Sequence, residues 1–362
     1  PDQDRMAYLD AARAIEASGA QALWLQHEYG IFGGPAGEHI LALLDRVSIP
    51  VIVTLHTILE KPDADQRRVM EGLLRRAARV IVMAERGREI LERVYGASGR
   101  NVVMIPHGVP DRDFVDPESL KGRFGWAGRE VVLTFGLLAP GKGIEVMIEA
   151  LPAIAEQHPD VLYAVLGATH PNLVAHEGEK YRDGLKALAA KLGVGRNIEF
   201  IDAFLEHDEL IDYLQAADIY ATPYLNPAQI TSGTLSYAVG VGKAVVSTPY
   251  VHATEILGDG HGVLINFGVT AAFAREINAL LGSDRNRLKL SERAYARGRT
   301  MIWPRLAEVA MREIVQMVAA KPQRLQSVAL SLSPLAPDFS AVERMSDSTG
   351  MLQHSIYSVP DR

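Results

Sequence analysis

The sequence contains no cysteine among its 362 residues. This absence excludes disulfide bonds, thiolate metal ligands and a cysteine nucleophile, and it favours a reducing compartment, so we predict a cytoplasmic protein. No apolar run approaches the roughly 20 residues that cross a bilayer, and no signal peptide is recognisable, so we predict no transmembrane segment. The formal net charge of -7 lacks the basic excess of a nucleic-acid surface, so we predict no nucleic-acid partner.

Strand and helix patterns alternate along most of the chain. Near-continuous apolar runs, separated by amphipathic stretches, predict parallel sheets covered on both faces. The predicted strands lie at 22–29, 51–57, 79–84, 101–109, 131–136, 161–167, 197–201, 218–222, 244–247 and 262–265. The predicted helices lie at 6–18, 36–47, 64–78, 85–95, 143–157, 178–192, 207–216, 232–240, 270–282, 285–299 and 303–320. The fold class is therefore α/β, with two Rossmann-like domains.

The predicted junction between the domains is a polar stretch at 110–128, which has no strand pattern. We place an N-terminal Rossmann-like domain at 1–115, which has fewer strands than such domains usually contain, and a C-terminal one at 116–320. Residues 321–362 lose periodicity and become rich in Ser, Pro and Leu, which predicts a linker and the start of a missing domain. The start at Pro1 and the final YSVPDR fit a piece of a longer protein.

The segment VVLTFGLLAPGKGIEVMIEALP at 131–152 carries the clearest chemical signal. A buried strand ends at Gly136, a short loop follows, and a helix pattern begins after Gly143. Backbone N–H groups and a helix dipole meet at such a turn, and Lys142 adds a full positive charge, so we predict an anion site. A tight turn with a solvated lysine is the simpler alternative.

Two phosphate ligands compete for this turn. Gly136, Gly141 and Lys142 have the G-x-x-x-x-G-K spacing of a nucleotide-triphosphate loop, whose next residue is a Ser or Thr that holds magnesium. That position is Gly143 here, which offers no hydroxyl. A nucleotide-sugar diphosphate needs a cation but no such hydroxyl, so a glycine at this position favours a nucleotide sugar as the ligand.

Several motifs, in their order, resemble those of the family-4 retaining glycosyltransferases. Gly136, Lys142 and Gly143 match the family's Gly-Arg-Leu turn followed by Lys-Gly, with Leu137 at the Arg position. The stretch AADIYATPY at 216–224 matches its Ala-Asp pair and strand, with a tyrosine in place of a serine at the end. This family has the GT-B fold, in which two Rossmann-like domains face each other across a cleft.

Further motifs extend the resemblance over roughly residues 20–320. VGVGKAVVST at 239–248 is similar to the family's Ala-x-Gly-x-Pro-Val-Val segment, and TLHT around His56 and IPHGV around His107 also fit. The helix at 303–320 resembles the C-terminal crossing helix, which returns to the first domain. The resemblance implies that 1–115 is an acceptor domain lacking its first strand and glycine-rich loop.

One departure from the family concerns two glutamates that normally lie eight positions apart. They are replaced by Gln229 and Tyr237. The first glutamate contacts the donor sugar in the family, and an amide can still donate and accept hydrogen bonds there. The second holds the ribose, to which a tyrosine could donate one hydrogen bond.

The intervening stretch, ITSGT at 230–234, is rich in hydroxyls and leads into a helix. We predict a second anion site there, which compensates for the missing arginine. Its residues are Thr231, Ser232, Gly233 and Thr234. The alternative is that Thr231 or Ser232 only caps the helix. The Gln-x-Thr-Ser-Gly-Thr variant at 229–234 resembles that of longer bacterial proteins, in which a stretch similar to 344–362 begins a helical domain. The resemblance therefore implies a fused C-terminal helical domain as a partner.

The resemblance implies transfer of a hexose from GDP-mannose or a UDP-hexose to a glycan or other acceptor. It implies retention at the anomeric carbon, with no metal and no cofactor. The enzyme must stabilise the charge that develops on the leaving diphosphate, for which we predict Lys142 and the amides of Gly141 and Gly143. The resemblance gives Gln229 and His56 contacts to the transferred sugar. His27 and Glu28 face the acceptor in this prediction, or form a structural hydrogen bond.

Other functions remain open at this point. A catalytically degenerate GT-B module that binds nucleotide or glycan in a multidomain protein would explain the replaced glutamates and arginine. A sugar-nucleotide epimerase would need carboxylates in the cleft, and Glu28 is the obvious one. A phosphorylase would need a pyridoxal lysine, for which no candidate is evident. An NTPase is disfavoured by Gly143.

Overall fold

The computed structural model describes residues 2–97, 99 and 101–320. The chain divides into two compact units. Unit 1 comprises the chain up to Ile105 together with the helical residues from Glu308, and unit 2 comprises Pro106–Ala307. The border therefore lies ahead of the polar stretch at 110–128. The predicted linker and further domain, at 321–362, lie outside the described residues.

Unit 1 contains a parallel sheet whose strands lie side by side in chain order. Its strands are β1 (Leu23–His27), β2 (Val51–Leu55), β3 (Arg79–Val82) and β4 (Val102–Met104). Its helices before Ile105 are α1 (Arg5–Ala17), α2 (His39–Leu44), α3 (Ala64–Arg76) and α4 (Glu85–Tyr95). Every residue of β2 is buried, as the continuous apolar run predicts. The strand predicted over 101–109 is wrong in length, because Pro106 has no N–H to continue the ladder.

Unit 2 contains a second parallel sheet, and its strand order reverses once. Its strands are β5 (Val131–Phe135), β6 (Leu162–Leu166), β7 (Ile198–Ile201), β8 (Ile219–Thr222), β9 (Ala244–Ser247) and β10 (Val263–Leu264). They lie in the order β10-β9-β8-β5-β6-β7, so β5 pairs with β6 on one side and with β8 on the other. This is the Rossmann strand order, and it confirms the predicted fold class for this half.

Helices pack on both faces of this second sheet. They are α5 (Glu118–Lys121), α6 (Ile144–Gln157), α7 (Pro171–Glu177), α8 (Lys180–Lys191), α9 (His207–Ala216), α10 (Gly233–Gly240), α11 (Val251–Leu257), α12 (Thr270–Leu281), α13 (Asp284–Gly298) and the start of α14 (Trp303–Ala320). Alternate residues of β5 enter opposite cores: Leu133 packs in one hydrophobic cluster and Val132 in the other. The sequence pattern predicts no helix at α5, α7 or α11, each of which has two turns or fewer.

Candidate functional site

The carboxyl ends of β5 and β8 lie side by side at the point where the strand order of unit 2 reverses. In open α/β sheets, ligands bind outside the carboxyl ends of the strands at this point. Gly136 follows β5 directly, with φ at +127°, a backbone conformation that favours glycine. A Cβ on Gly136 would lie 3.7 Å from Lys142 Nζ and 3.4 Å from Thr234 Cγ2. The space beside Gly136 is thus bordered by a cation and by the start of α10.

Lys142 is held at this edge with only 2% of its surface exposed. It ends a short 3₁₀ turn, Pro140–Lys142, that leads into α6. Its Nζ donates to the Tyr224 hydroxyl at 2.8 Å and lies 4.3 Å from the centre of the Tyr224 ring. Burial lowers the pKa of Lys142, because the charged form loses hydration. An anion at the edge would favour the charged form again.

Gly143 determines how closely this turn approaches β8. Its φ is +63°, and a Cβ there would lie 2.1 Å from the carbonyl oxygen of Pro223. Its N–H donates to Pro140 O at 3.1 Å, so this amide is engaged within the turn. Gly141 contributes its carbonyl, which accepts from Leu225 N–H at 3.0 Å. A role for either amide toward a ligand stays a prediction.

The N-terminus of α10 is the second part of this edge. Ser232 caps the helix, because its hydroxyl accepts from Leu235 N–H at 3.3 Å. The hydroxyls of Ser232 and Thr234 are 3.1 Å apart, and Thr234 lies 3.0 Å from the Tyr224 hydroxyl. The predicted anion residues Lys142, Ser232 and Thr234 are therefore joined in one network. Helix N-termini attract anions through their N–H groups and dipole.

A buried histidine holds the segment before α10 in place. His252, on α11, accepts at Nδ1 from Ser232 N–H at 2.9 Å. Burial, with His107 and Arg297 nearby, lowers the pKa of His252 to about 3. The ring is therefore neutral at physiological pH, which this acceptor role requires.

The remaining predicted donor residues surround the same helix start. Gln229 donates from Nε2 to Thr231 O at 3.0 Å and is half-buried. The Thr231 hydroxyl is buried and makes no hydrogen bond to a described residue. A Cβ on Gly233 would lie 3.0 Å from His107 Nε2, so the imidazole covers the first residue of α10. Tyr237, one turn later, packs edge-on against the His107 ring at 5.9 Å.

Unit 1 gathers its own polar residues at the carboxyl ends of β1 and β2. Glu28 follows β1 and is 5% exposed. Its carboxylate accepts from Thr57 Oγ1 at 2.7 Å and from Tyr29 N–H at 2.9 Å. Burial raises the pKa of Glu28 to about 7. His56 follows β2 and is half-buried, with Nε2 at 3.0 Å from Gln26 Oε1.

His27, the last residue of β1, is fully buried. Neither ring nitrogen makes a hydrogen bond to a described residue. The ring packs edge-on against Tyr29 at 5.1 Å and stacks near Phe32 at 6.1 Å. Burial, and then the nearby His56, lower the pKa of His27 to about 3. His27, Glu28 and His56 thus lie on adjacent strand ends, and a His27–Glu28 hydrogen bond is not among the contacts of the described residues.

Three residues at these edges have roles that sequence patterns do not reveal. Tyr224 connects the lysine to α10, His252 fixes the helix cap, and Thr57 binds the Glu28 carboxylate. Among the residues that the structure describes, no group of three His, Asp or Glu side chains is placed to hold a metal ion. In the same part of the chain, no helix has both the length and the apolar surface to span a membrane.

Comparison with known proteins places two glycosyltransferase domains on this chain. Residues 118–297 match the family model described as Glycosyl transferases group 1, and residues 11–113 match Glycosyltransferase Family 4. A D-inositol 3-phosphate glycosyltransferase from Xylanimonas cellulosilytica is 27% identical over 308 residues, which are 77% of this chain and 69% of the relative. A GDP-mannose-dependent alpha-(1-6)-phosphatidylinositol monomannoside mannosyltransferase from Mycolicibacterium smegmatis is 31% identical over 123 residues, which are 33% of this chain and 29% of the relative.

A solved structure supports the fold. The crystal structure of Anabaena HepE in complex with UDP superposes with a TM-score of 0.69 at 19% identity, covering 85% of this chain and 82% of that chain. The chain spans between 63% and 69% of the length of each of the first four curated relatives that it matches. The architecture is therefore that of the GT-B glycosyltransferases.

Proposed function

We propose that this chain, which is built from the two domains of a GT-B glycosyltransferase, binds a nucleoside diphosphate sugar at the β5–β8 edge of unit 2. In this proposal the diphosphate lies beside Gly136, between Lys142 and the N-terminus of α10. The protein then transfers the hexose to a glycan or other acceptor, with retention at the anomeric carbon. Neither a metal nor a cofactor takes part.

The convergence of a buried cation and a helix N-terminus supports this proposal most. Breaking the bond between the sugar and the diphosphate leaves negative charge on the phosphate oxygens. Lys142 Nζ and the hydroxyls of Ser232 and Thr234 lie at one edge, beside Gly136, which places no side chain between them. These groups are fixed before a ligand binds, so little reorganisation is needed when the charge develops. They supply the stabilisation that a metal ion would otherwise provide.

Two donors fit the same diphosphate site. The mannosyltransferase relative is named for GDP-mannose, and the HepE structure contains UDP. We therefore propose GDP-mannose or a UDP-hexose as donor. Gln229 binds the hydroxyls of the sugar, and the Tyr237 hydroxyl donates to the ribose. Burial raises the pKa of Tyr237 to about 12, so this hydroxyl keeps its proton.

The proposed roles in unit 1 follow from the low charge of the buried groups at the carboxyl end of β1. His56, half-buried at the end of β2, contacts the transferred sugar. His27 and Glu28 form the acceptor side. A neutral imidazole and a carboxyl group that titrates near pH 7 suit an uncharged hydroxyl better than a phosphate.

Isothermal titration calorimetry tests the donor site. UDP, GDP and ADP are titrated, each with and without Mg²⁺, into the wild type, Lys142→Ala and Lys191→Ala. Lys191 lies exposed at the end of α8, so its variant is a control for the loss of one positive charge. We expect metal-independent binding of UDP or GDP, weakened at least about tenfold in Lys142→Ala and unchanged in Lys191→Ala.

Other outcomes would contradict the proposal. Binding of ADP alone, and only with Mg²⁺, would instead support a nucleotide-triphosphate loop. Equal effects of the two lysine variants would show that Lys142 acts only through net charge. Absence of binding of every nucleotide to the wild type would remove the donor site.

A second candidate is a degenerate module that binds donor without transferring the sugar. The replacement of both expected glutamates by Gln229 and Tyr237 favours it. Incubation of the protein with radiolabelled GDP-mannose or UDP-glucose and candidate glycan acceptors distinguishes the two functions. Release of the nucleoside diphosphate together with labelled product supports a transferase, whereas tight binding without release supports the module.

A further inference from the structure

Tyr224 occupies a central position at the β5–β8 edge. It lies two residues after the end of β8, and its hydroxyl is 2.8 Å from Lys142 Nζ and 3.0 Å from Thr234 Oγ1. The side chain is fully buried, and its ring stacks on Tyr250 with the ring centres 5.2 Å apart. Its backbone carbonyl accepts from the Thr248 hydroxyl at 2.5 Å. The ring and backbone contacts fix where the hydroxyl lies.

The direction of the hydrogen bonds follows from the chemistry of their ends. An ammonium group has only donors, so Lys142 donates and the Tyr224 oxygen accepts. The tyrosine proton is then directed to Thr234 Oγ1. That bond leaves the Thr234 proton to donate in turn to Ser232 Oγ at 3.1 Å, to the neighbouring Tyr220 hydroxyl or to a ligand oxygen. The series Lys142, Tyr224, Thr234 therefore presents donors only, which suits an anion.

We propose that Tyr224 is a positioning residue that relays the polarity of Lys142 to Thr234, so that the Thr234 hydroxyl donates to the diphosphate. This inference rests on the proposed nucleotide-sugar site. A hydroxyl that accepts from a cation becomes a stronger donor, so the relay strengthens the bond to the ligand. It also joins the loop after β5 to the start of α10. Thr234 is half-buried, whereas Lys142 and Tyr224 are buried, so Thr234 is the member of the series that faces a ligand in this proposal.

The length of the tyrosine side chain makes this connection possible. Tyr224 comes from the β8 end, Lys142 from the loop after β5, and Thr234 from α10. A shorter hydroxyl side chain at this position, such as serine, would keep its oxygen close to the β8 backbone. Phenylalanine would keep the ring and its packing but remove the connection. Tyr224→Phe therefore isolates the hydroxyl.

The test measures binding of nucleoside diphosphate and monophosphate to Tyr224→Phe and to a matched control. The control is Tyr295→Phe, which removes a tyrosine hydroxyl on α13 that donates to Arg112 O at 2.9 Å and takes no part in the proposed site. We expect Tyr224→Phe to weaken binding of UDP or GDP by roughly tenfold while changing binding of UMP or GMP less than about twofold. Tyr295→Phe is expected to change neither. Equal losses for both ligands would indicate a merely structural role and overturn the relay.

A double-mutant cycle with Thr234→Val gives an independent measure. If the relay acts through Thr234, the double variant Tyr224→Phe/Thr234→Val binds the diphosphate about as well as the weaker single variant. Additive losses would overturn the relay. Lys142→Ala separates the two proposals: wild-type binding that depends on Lys142 but not on Tyr224 leaves the donor site intact and refutes the relay alone. Absence of wild-type binding refutes both.

Discussion

The carboxyl edges of the two sheets differ in the residues that come directly after the strands. In unit 2, glycines follow β5 and β6, at Gly136 and Gly167, both with positive φ. In unit 1, Glu28 and His56 follow β1 and β2 and place side chains at the edge. A Cβ on Gly167 would lie 2.2 Å from Gly136 O, so these two glycines let the loops after β5 and β6 pack closely. The unit 2 edge therefore presents backbone directly after these strands, whereas the unit 1 edge presents polar side chains.

The two edges also differ in charge. Unit 2 presents a lysine, hydroxyls and a helix N-terminus, all of which can donate to an anion. Unit 1 presents a histidine kept neutral by burial and a carboxyl group whose pKa burial raises to about 7. In the proposed function, the same strand-end position serves charge stabilisation in unit 2 and contacts with uncharged groups in unit 1. Substitutions at each edge can test this contrast.

The largest effect is expected from Gly143→Ala, which pushes the 3₁₀ turn Pro140–Lys142 away from the end of β8. The new Cβ would lie 2.1 Å from Pro223 O, so the backbone must move, and φ is +63°. We expect the free energy of unfolding to fall by roughly 3 kcal/mol or more. Binding of UDP or GDP should fall at least about tenfold, because Lys142 moves with the turn. Chemical denaturation and calorimetry measure the two quantities.

Gly193→Ala is the matched control for this substitution. Gly193 has φ at +72°, but a Cβ there would meet no atom within 4 Å. The control therefore carries the conformational cost of about 1 kcal/mol without the clash. If Gly143→Ala cost no more than the control and bound nucleotide normally, the close contact with β8 would not be what places Lys142.

Local sequence patterns predict most of the fold. The residues of β5 are all buried and, apart from Thr134, apolar, and α4 and α9 begin and end at the predicted residues. The short helices α7 and α11 are not predicted, because one or two helical turns show little hydrophobic periodicity. The reversal of strand order has no local signal, since it depends on pairs such as Val132 with Ile219, more than eighty positions apart.

The site is less predictable, because it depends on where side chains from distant segments meet. Lys142 and Thr234 belong to separate motifs, and each motif alone indicates an anion site. The bridge through Tyr224 requires that its ring stack on Tyr250, which no spacing rule reveals. Thr57 is a single threonine after a strand, and only the fold brings it to Glu28. Motifs therefore predict the components of the edge but not their connections.

Glu28→Gln tests the difference in charge between the two edges through the pH dependence of stability. The Glu28 pKa is about 7 in the folded chain and near 4.5 unfolded, so only the folded state holds the proton between these values. The stability contributed by this group is therefore lost as pH rises from about 4.5 to 7. Glutamine does not titrate. We expect the stability of Glu28→Gln relative to wild type to increase by on the order of 2 kcal/mol from pH 5 to pH 8.

The control is Glu92→Gln, at an exposed position on α4. Denaturation of both variants and the wild type at the two pH values gives the comparison. The stability of Glu28→Gln relative to wild type could instead be the same at both pH values, as expected for the control. That result would mean that Glu28 is ionised in the folded chain at pH 5. The unit 1 edge would then be anionic, and the contrast with unit 2 would become one of opposite charges.

At pH 8 the smallest effect is expected from His27→Leu, and its pH dependence has the opposite sign to that of Glu28→Gln. Burial lowers the pKa of His27 to about 3 from 6.5, so the unfolded state binds a proton first as pH falls. The contribution of His27 to stability is therefore lost below about pH 6.5. Both ring nitrogens are buried without a hydrogen bond to a described residue, so leucine removes an unsatisfied polar group. We expect a gain within about 1 kcal/mol at pH 8 and a larger gain at pH 5.

Measuring sugar transfer by the same variant decides whether the unsatisfied histidine has a functional role. If His27 faces the acceptor, His27→Leu should raise the apparent KM for the acceptor while leaving UDP or GDP binding unchanged, because the proposed donor site lies in unit 2. A buried polar group without partners is costly, so a gain in stability combined with a loss of acceptor binding would indicate that function maintains it. If stability rose and transfer were unaffected, His27 would have no acceptor role, and Glu28 would be left to carry the acceptor side of the unit 1 edge.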